Sequence, residues 1–138
     1  MEKNQGRSFV TTMIIIAVVA LLLRFGVEKI IKINIAQNES SAALTLKLIS
    51  TALENYAKDT KGTYPQDFST LTKARPAYLD KDYLTLSLYK GYYYSCSHLE
   101  TNGYNCSATP ARCGLSGNLI YSISTGGVFV SDRCKRKE

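Results

Sequence analysis

The sequence predicts an α+β fold: one long N-terminal helix whose second half packs on a small antiparallel β-sheet head. Three observations predict it. Residues Phe9 to Leu23 carry no charge, and Met13 to Leu23 (MIIIAVVALLL) is wholly apolar. The helical pattern then runs on, without a Gly-Pro break or a polar loop, to Lys61-Gly62, turning from greasy to amphipathic on the way. Beyond Gly91 the texture becomes β, with aromatic and β-branched runs separated by turn residues, and all four cysteines fall in that last third.

Residues 1–8 form a short basic segment in which Lys3 and Arg7 precede the apolar run, as in a secretory signal. No small-residue cleavage site follows: Leu23-Arg24-Phe25-Gly26 does not resemble A-x-A, and the helical pattern continues past it. The segment is therefore expected to be retained, with residues 9–27 as the transmembrane half of the helix. An uninterrupted helix needs about twenty residues to cross the hydrocarbon core. Including Phe25 and Val27 supplies that length and places Arg24 inside, where it snorkels to the interface or pairs with a neighbouring subunit. Basic residues flank both ends of the span, so charge alone does not orient it. The cysteines do, because paired thiols belong to an oxidising compartment. A single-pass inner-membrane protein with its head outside the cytoplasm is expected.

Residues 28–61 are polar enough for water. Ala42, Leu46, Ile49, Leu53 and Tyr56 step by four, three, four and three, which holds them on one face as a stripe for a sheet. Leu44 and Leu48 are expected to widen the stripe, and Glu54 and Lys58 to lie on the exposed side at i,i+4 spacing. Lys61, Gly62 and Pro65 form a stop signal. A helix from about Phe9 to Lys61 would be roughly 80 Å long at ~1.5 Å per residue.

Residues 62–90 read as an ordered connecting region, because apolar anchors recur every few residues. Pro65 to Leu71 has the look of a short helical turn with Phe68 and Leu71 inward. Residues 91–138 read as the β head. Tyr92 to Cys96 and Tyr104 to Ala108 are strand candidates about an Asn102-Gly103 turn; Leu119 to Ser124 and Val128 to Val130 form a hairpin about Thr125-Gly126-Gly127. A head this small often needs staples. An even cysteine count beyond a membrane segment reads as two disulfides among Cys96, Cys106, Cys113 and Cys134, and no pair has the C-x-x-C spacing of structural zinc. Four cysteines allow three connectivities; neighbour pairing is the expectation.

The net charge is +6, with Arg133, Lys135, Arg136 and Lys137 at the end. Such a tail is a solvated terminus or a contact for nucleic acid or another acidic surface, though it lacks interleaved aromatics for base stacking. No catalytic set organises. His98, the only histidine, falls in the loop between Cys96 and Cys106 without a metal or triad partner. Ser95, Ser97 and Ser122 lack a G-x-S-x-G setting. Gly114, Gly117, Gly126 and Gly127 sit where turns are needed rather than in a phosphate loop. The tyrosines read mainly as packing, with any exposed part of Tyr92, Tyr93 and Tyr94 available to partners. No enzyme activity, cofactor or metal is expected.

Several segments, in this order and spacing, carry a family resemblance. Asn38-Glu39-Ser-Ser-Ala42 through Thr51 to Tyr56, then Gly62-Thr63-Tyr64-Pro65, resembles the helix exit of type IV pilins and type II secretion pseudopilins. Ala77-Tyr78-Leu79 is similar to their following loop; Gly91-Tyr92, Gly103-Tyr104, Ala108-Thr109-Pro110, Gly117 and Thr125 to Val128 are similar to their heads. The resemblance covers nearly the whole chain and implies a pilin-like structural subunit of a pilus or pseudopilus filament. Its partners would be other pilin-like subunits, inner-membrane lipid and a prepilin peptidase cleaving after Gly6. Lateral helix packing would fall to Phe9, Met13, Ile14, Ile16, Val19 and Leu22. The start departs from the family pattern: Arg7 stands where an apolar first residue is usual and Thr11 where a glutamate is. The alternative is a minor or tip pilin-like protein that binds DNA or a surface through its basic head and tail. Many major pseudopilins bind calcium through head carboxylates, and here the acidic residues beyond Asp82 are too few for an oxygen cage.

Overall fold

A computed structural model describes residues 5–135, with side chains from Ser8 onward; Lys3 of the leader and Arg136 and Lys137 of the tail lie outside the described residues. The observed architecture is α+β, in the order α1 (Gln5–Asp59), α2 (Ser69–Lys73), β1 (Tyr92–Glu100), β2 (Gly103–Pro110), β3 (Leu119–Ser124) and β4 (Val128–Arg133). The four strands form one antiparallel meander, β1-β2-β3-β4. Contacts divide the chain into a unit ending at Asn34 and a unit beginning at Ile35. The described residues of the first all belong to α1, the apolar run and the first turns of the polar half. The second holds the rest of α1, the connecting region and the sheet.

In the second unit the stripe behaves as its spacing requires. Ala42, Leu46, Ile49 and Leu53 are fully buried and Tyr56 packs at the margin. Leu44 and Leu48 do not join it; they are 64% and 46% exposed. Each lies two positions beyond a stripe member, and at ~100° per residue that carries it to the far side of the helix. The core widens instead through Thr45, Ser50, Ala52 and Ala57, which lie at the flanks. α1 ends at Asp59, two residues before Lys61. The Gly62 N–H reaches back to the Ala57 carbonyl at 2.7 Å, with Lys61 and Gly62 both left-handed.

The connecting region is anchored by Phe68, Leu71, Leu79 and Tyr83, all buried. The Asp67 carboxylate accepts the Ser69 N–H at 2.9 Å and the Ser69 hydroxyl at 2.8 Å at the start of α2. Those bonds hold its carboxyl below the usual range.

β3 has the bounds expected of it, and β1, β2 and β4 are longer than the sequence suggests. β1 continues through a bulge between Cys96 and His98 to Glu100, so His98 sits on a strand rather than in a loop. Alternation aims Tyr92 and Tyr94 of β1, Tyr104, Cys106 and Ala108 of β2, and Tyr121 and Ile123 of β3 into the core. Tyr94, Ala108 and Tyr121 share one row, a small side chain between two large ones. Cys96 and Cys106, directly opposed across β1 and β2, are disulfide-bonded; Cys113 and Cys134 form the second disulfide. This is the neighbour pairing. Gly117 supplies close approach rather than a turn. A Cβ there would run into the Tyr92 ring, whose hydroxyl donates to the Leu119 carbonyl at 2.9 Å.

Candidate functional site

Two surfaces stand out, one in each unit. In the first, thirteen large apolar side chains between Phe9 and Val27 are exposed, and every residue from Ser8 to Ile30 is open. Phe9, Met13, Ile14, Ile16, Val19 and Leu22 are 47–66% exposed. Ile15, Val18, Leu21, Leu23 and Phe25 between them are open too, so the apolar surface runs all round the helix rather than along a stripe. A helix apolar on all sides belongs in a membrane or inside a larger body. At about 1.5–3 kcal/mol for each large apolar side chain left in water, exposure of this surface would cost on the order of 10 kcal/mol or more. That matches the whole stability of a domain, about 5–15 kcal/mol. The surface is therefore one that something covers. The helix is long and apolar enough to cross a bilayer, and none of its most apolar window is buried within the chain. Gly6 lies within α1. Thr12, near the start of the apolar run, bonds its hydroxyl back to the Ser8 carbonyl at 2.8 Å, which satisfies a polar group without a partner chain.

In the second unit, polar side chains of α1 fix the helix to the sheet. Glu54 was expected on the solvated side with Lys58. It is half-buried, and its carboxylate gathers three donors: the Tyr104 hydroxyl at 3.0 Å, the Tyr64 hydroxyl at 3.1 Å and the Gly126 N–H at 2.8 Å. Tyr104 gives its one proton to Glu54, so the 2.7 Å contact with Ser50 has the serine as donor. Burial, chiefly, pushes the Tyr104 phenol up to about 12; the Ser50 bond opposes the rise and Glu54 adds to it. Tyr64 is raised for the same reasons, burial first and then Glu54. Nearer the start of this unit, the Asn38 amide donates to the Ser116 carbonyl at 3.0 Å and Glu39 accepts the Asn118 N–H at 2.7 Å. The loop between β2 and β3 is thereby tied to α1 at one end and the β3–β4 turn at the other.

The disulfide Cys113–Cys134 borders a cleft of about 840 Å³ lined by Pro110, Arg112, Leu115, Ile120 and, from the basic end, Lys135. Of the other residues marked in the sequence, His98 stands 3.8 Å from Glu100, the Ser95 hydroxyl meets that of Ser107 at 3.3 Å, and the Ser97 hydroxyl donates to the Asn105 carbonyl at 3.4 Å. Ser122 is apart on β3. Tyr92 and Tyr94 are buried; Tyr93 alone of the three is exposed, at 49%. The structure does not bring these groups together. Asn38, Glu39 and Glu54 are the positioning residues that sequence reasoning missed, because an acid or amide on an amphipathic helix reads as a solvated face until its strand partners are placed.

Compared with protein-family models, with curated proteins and with solved structures, the chain matches none.

Proposed function

We propose that the chain is a structural subunit of a type IV pilus-like or type II secretion pseudopilus-like filament. The observation that carries the reading is the apolar helix surface from Phe9 to Val27, open on every side and continuous with a helix that carries a disulfide-bonded head. Such a surface has two coverings that fit one life cycle. In the inner membrane it lies in lipid with the head on the outer side. In the filament the same surface packs against its copies or relatives, while the heads coat the outside. The exchange is balanced because lipid tails and packed apolar side chains are similar environments, so packing and polar contacts rather than the hydrophobic effect decide it. The disulfides support a head in an oxidising compartment. The order of segments that resembles pilins supports the family.

The test is the intact mass of protein extracted from membranes of its own host without reductant, read together with protease access to the head. The reading expects all four thiols oxidised, the head open to protease only from the outer side, and the apolar helix retained. Loss of residues 1–6 with methylation of the new terminus would add processing after Gly6. Reduced thiols in a head reached only from the cytoplasm would remove the proposal.

A further inference from the structure

Arg24 and Glu28 lie four residues apart on α1, both exposed. Among the described residues neither makes an ion pair; the one contact of that kind there is His98 with Glu100 at 3.8 Å, which is charged only with the imidazole protonated. Glu28 is also the only acidic residue between Glu2 and Glu39, against Lys3, Arg7, Arg24, Lys29 and Lys32. Arg24 is set among apolar neighbours, with Leu23 and Phe25 beside it and Ala20, Leu21 and Val27 one turn away on its own face. A helix laid on that face takes the guanidinium out of water. Cα–Cβ bonds tilt toward the helix N-terminus, so the stem of Arg24 sets off toward the apolar run and away from the polar half. A charge desolvated there is costly unless a carboxylate meets it. Arginine suits such a site better than lysine, because its planar fork grips a carboxylate at two points and is weakly hydrated. Within the chain Glu28 has two candidate partners at four-residue spacing, Lys32 and Arg24 itself, and among the described residues it pairs with neither.

We propose that Arg24 of one copy pairs with Glu28 of a neighbouring parallel copy displaced along the axis by four residues, about 6 Å. The partner is a second copy of this chain, chosen by charge complementarity, and the inference rests on the filament reading above. The displacement has a structural consequence. Each copy offers one Arg24 to the neighbour on one side and one Glu28 to the neighbour on the other, so the contact is head-to-tail and does not close. Contacts of that kind generate fibres rather than dimers. A buried charge pair of this sort fixes register more than it adds stability.

The test uses full-length chains in the host, two copies carrying different epitope tags, with oxidative cross-linking in membranes and filaments. The native cysteines are already paired. One copy carries Leu21→Cys and the other Phe25→Cys, each one turn before Arg24 and Glu28, so that both charges stay in place. This mixed pair is expected to cross-link about tenfold more than Leu21→Cys with itself or Phe25→Cys with itself, since only a one-turn offset brings positions 21 and 25 level. Like pairs that equal or exceed it would overturn the proposal. Ile14→Cys serves as the assembly control: if it cross-links between copies and the mixed pair does not, the charge pairing is wrong and the filament reading stands. If no position cross-links, the filament reading fails and the pairing with it. A second arm reads filament yield. Arg24→Glu and Glu28→Arg alone are each expected to lower it by about tenfold, as loss of one partner of a buried pair does, and the double exchange to recover it. Undiminished yield from Arg24→Glu would overturn the pairing.

Discussion

Glu54 shows how one side chain joins a helix to a sheet. Three donors from two strand regions and the connecting region converge on its carboxylate. Glu54→Ala would remove the acceptor of all three donors; the Tyr104 proton can turn to Ser50, and the Gly126 N–H is open to water. At about 0.5–1.5 kcal/mol net for a hydrogen bond that has a substitute, the expected loss is about 1–2 kcal/mol, read from urea unfolding of the head. Glu54→Gln keeps one acceptor oxygen and should lose less. Equal stability of Glu54→Ala and the parent would show that the contacts are incidental. The phenols add a pH signature. Tyr104 and Tyr83 are both pushed up to about 12, first by burial; for Tyr83 the Asp80 carboxylate adds to it. Unfolded, both titrate near 10. The folded state therefore keeps its protons longer, and the stability this contributes is full below about pH 10 and is lost as pH rises toward 12. Unfolding free energy measured against pH, with tyrosinate absorbance followed alongside, should be insensitive to these two phenols below pH 10 and fall beyond it. Ionisation of both near pH 10 without loss of structure would contradict the assignment of their burial.

At the scale of elements, periodicity made the stripe on α1 and the four strands legible, because burial of one face is a local pattern that survives any tertiary arrangement. What it did not carry were facts that depend on a partner element. Leu44 and Leu48 are apolar, and only their angular position excludes them from the core. β1 extends past Cys96 because β2 offers it a partner, and the bulge at Ser97 absorbs the mismatch. Gly117 reads as a turn residue until the Tyr92 ring is seen against it. The cysteines were legible as bridges, and their pairing follows once β1 and β2 are aligned. The disulfide Cys113–Cys134 ties the end of β4 to the loop after β2. β4 is an edge strand whose one strand partner is β3, with Phe129 packed on the core. Cys113→Ser with Cys134→Ser is expected to cost about 2–4 kcal/mol in the chain-entropy picture. Hydrogen exchange should show β4 losing protection before β2 and β3. Uniform loss across the sheet would argue that the bridge staples the whole head instead.

For the whole molecule, the division at Asn34/Ile35 separates an exposed apolar helix from a packed core. Every buried residue of the core cluster, from Ala42 to Ile123, belongs to the second unit. A fragment spanning residues 35–138 is therefore expected to fold and stay soluble with both disulfides formed, while the full chain requires lipid or detergent. A fragment that aggregates unfolded would mean that the apolar half takes part in folding the head. The reading of function lives at this scale too. It was legible in the sequence as a greasy run continuous with an amphipathic one, since that junction needs no tertiary contact to be seen. The proposed Arg24–Glu28 step supplies a partner for the pairing with a neighbouring subunit that the sequence suggested for Arg24; among the described residues neither side chain forms an ion pair.

The most direct measurement of the central claim is electron microscopy of the sheared surface and periplasmic fractions of the host, with antibody against the head. The account predicts filaments labelled along their length, lost when Ile16 or Val19 is changed to lysine while the head remains folded. Labelling confined to tips would assign the chain to the minor, binding role. A chain that remains a lone membrane protein, absent from any filament while its disulfides are intact, would contradict it.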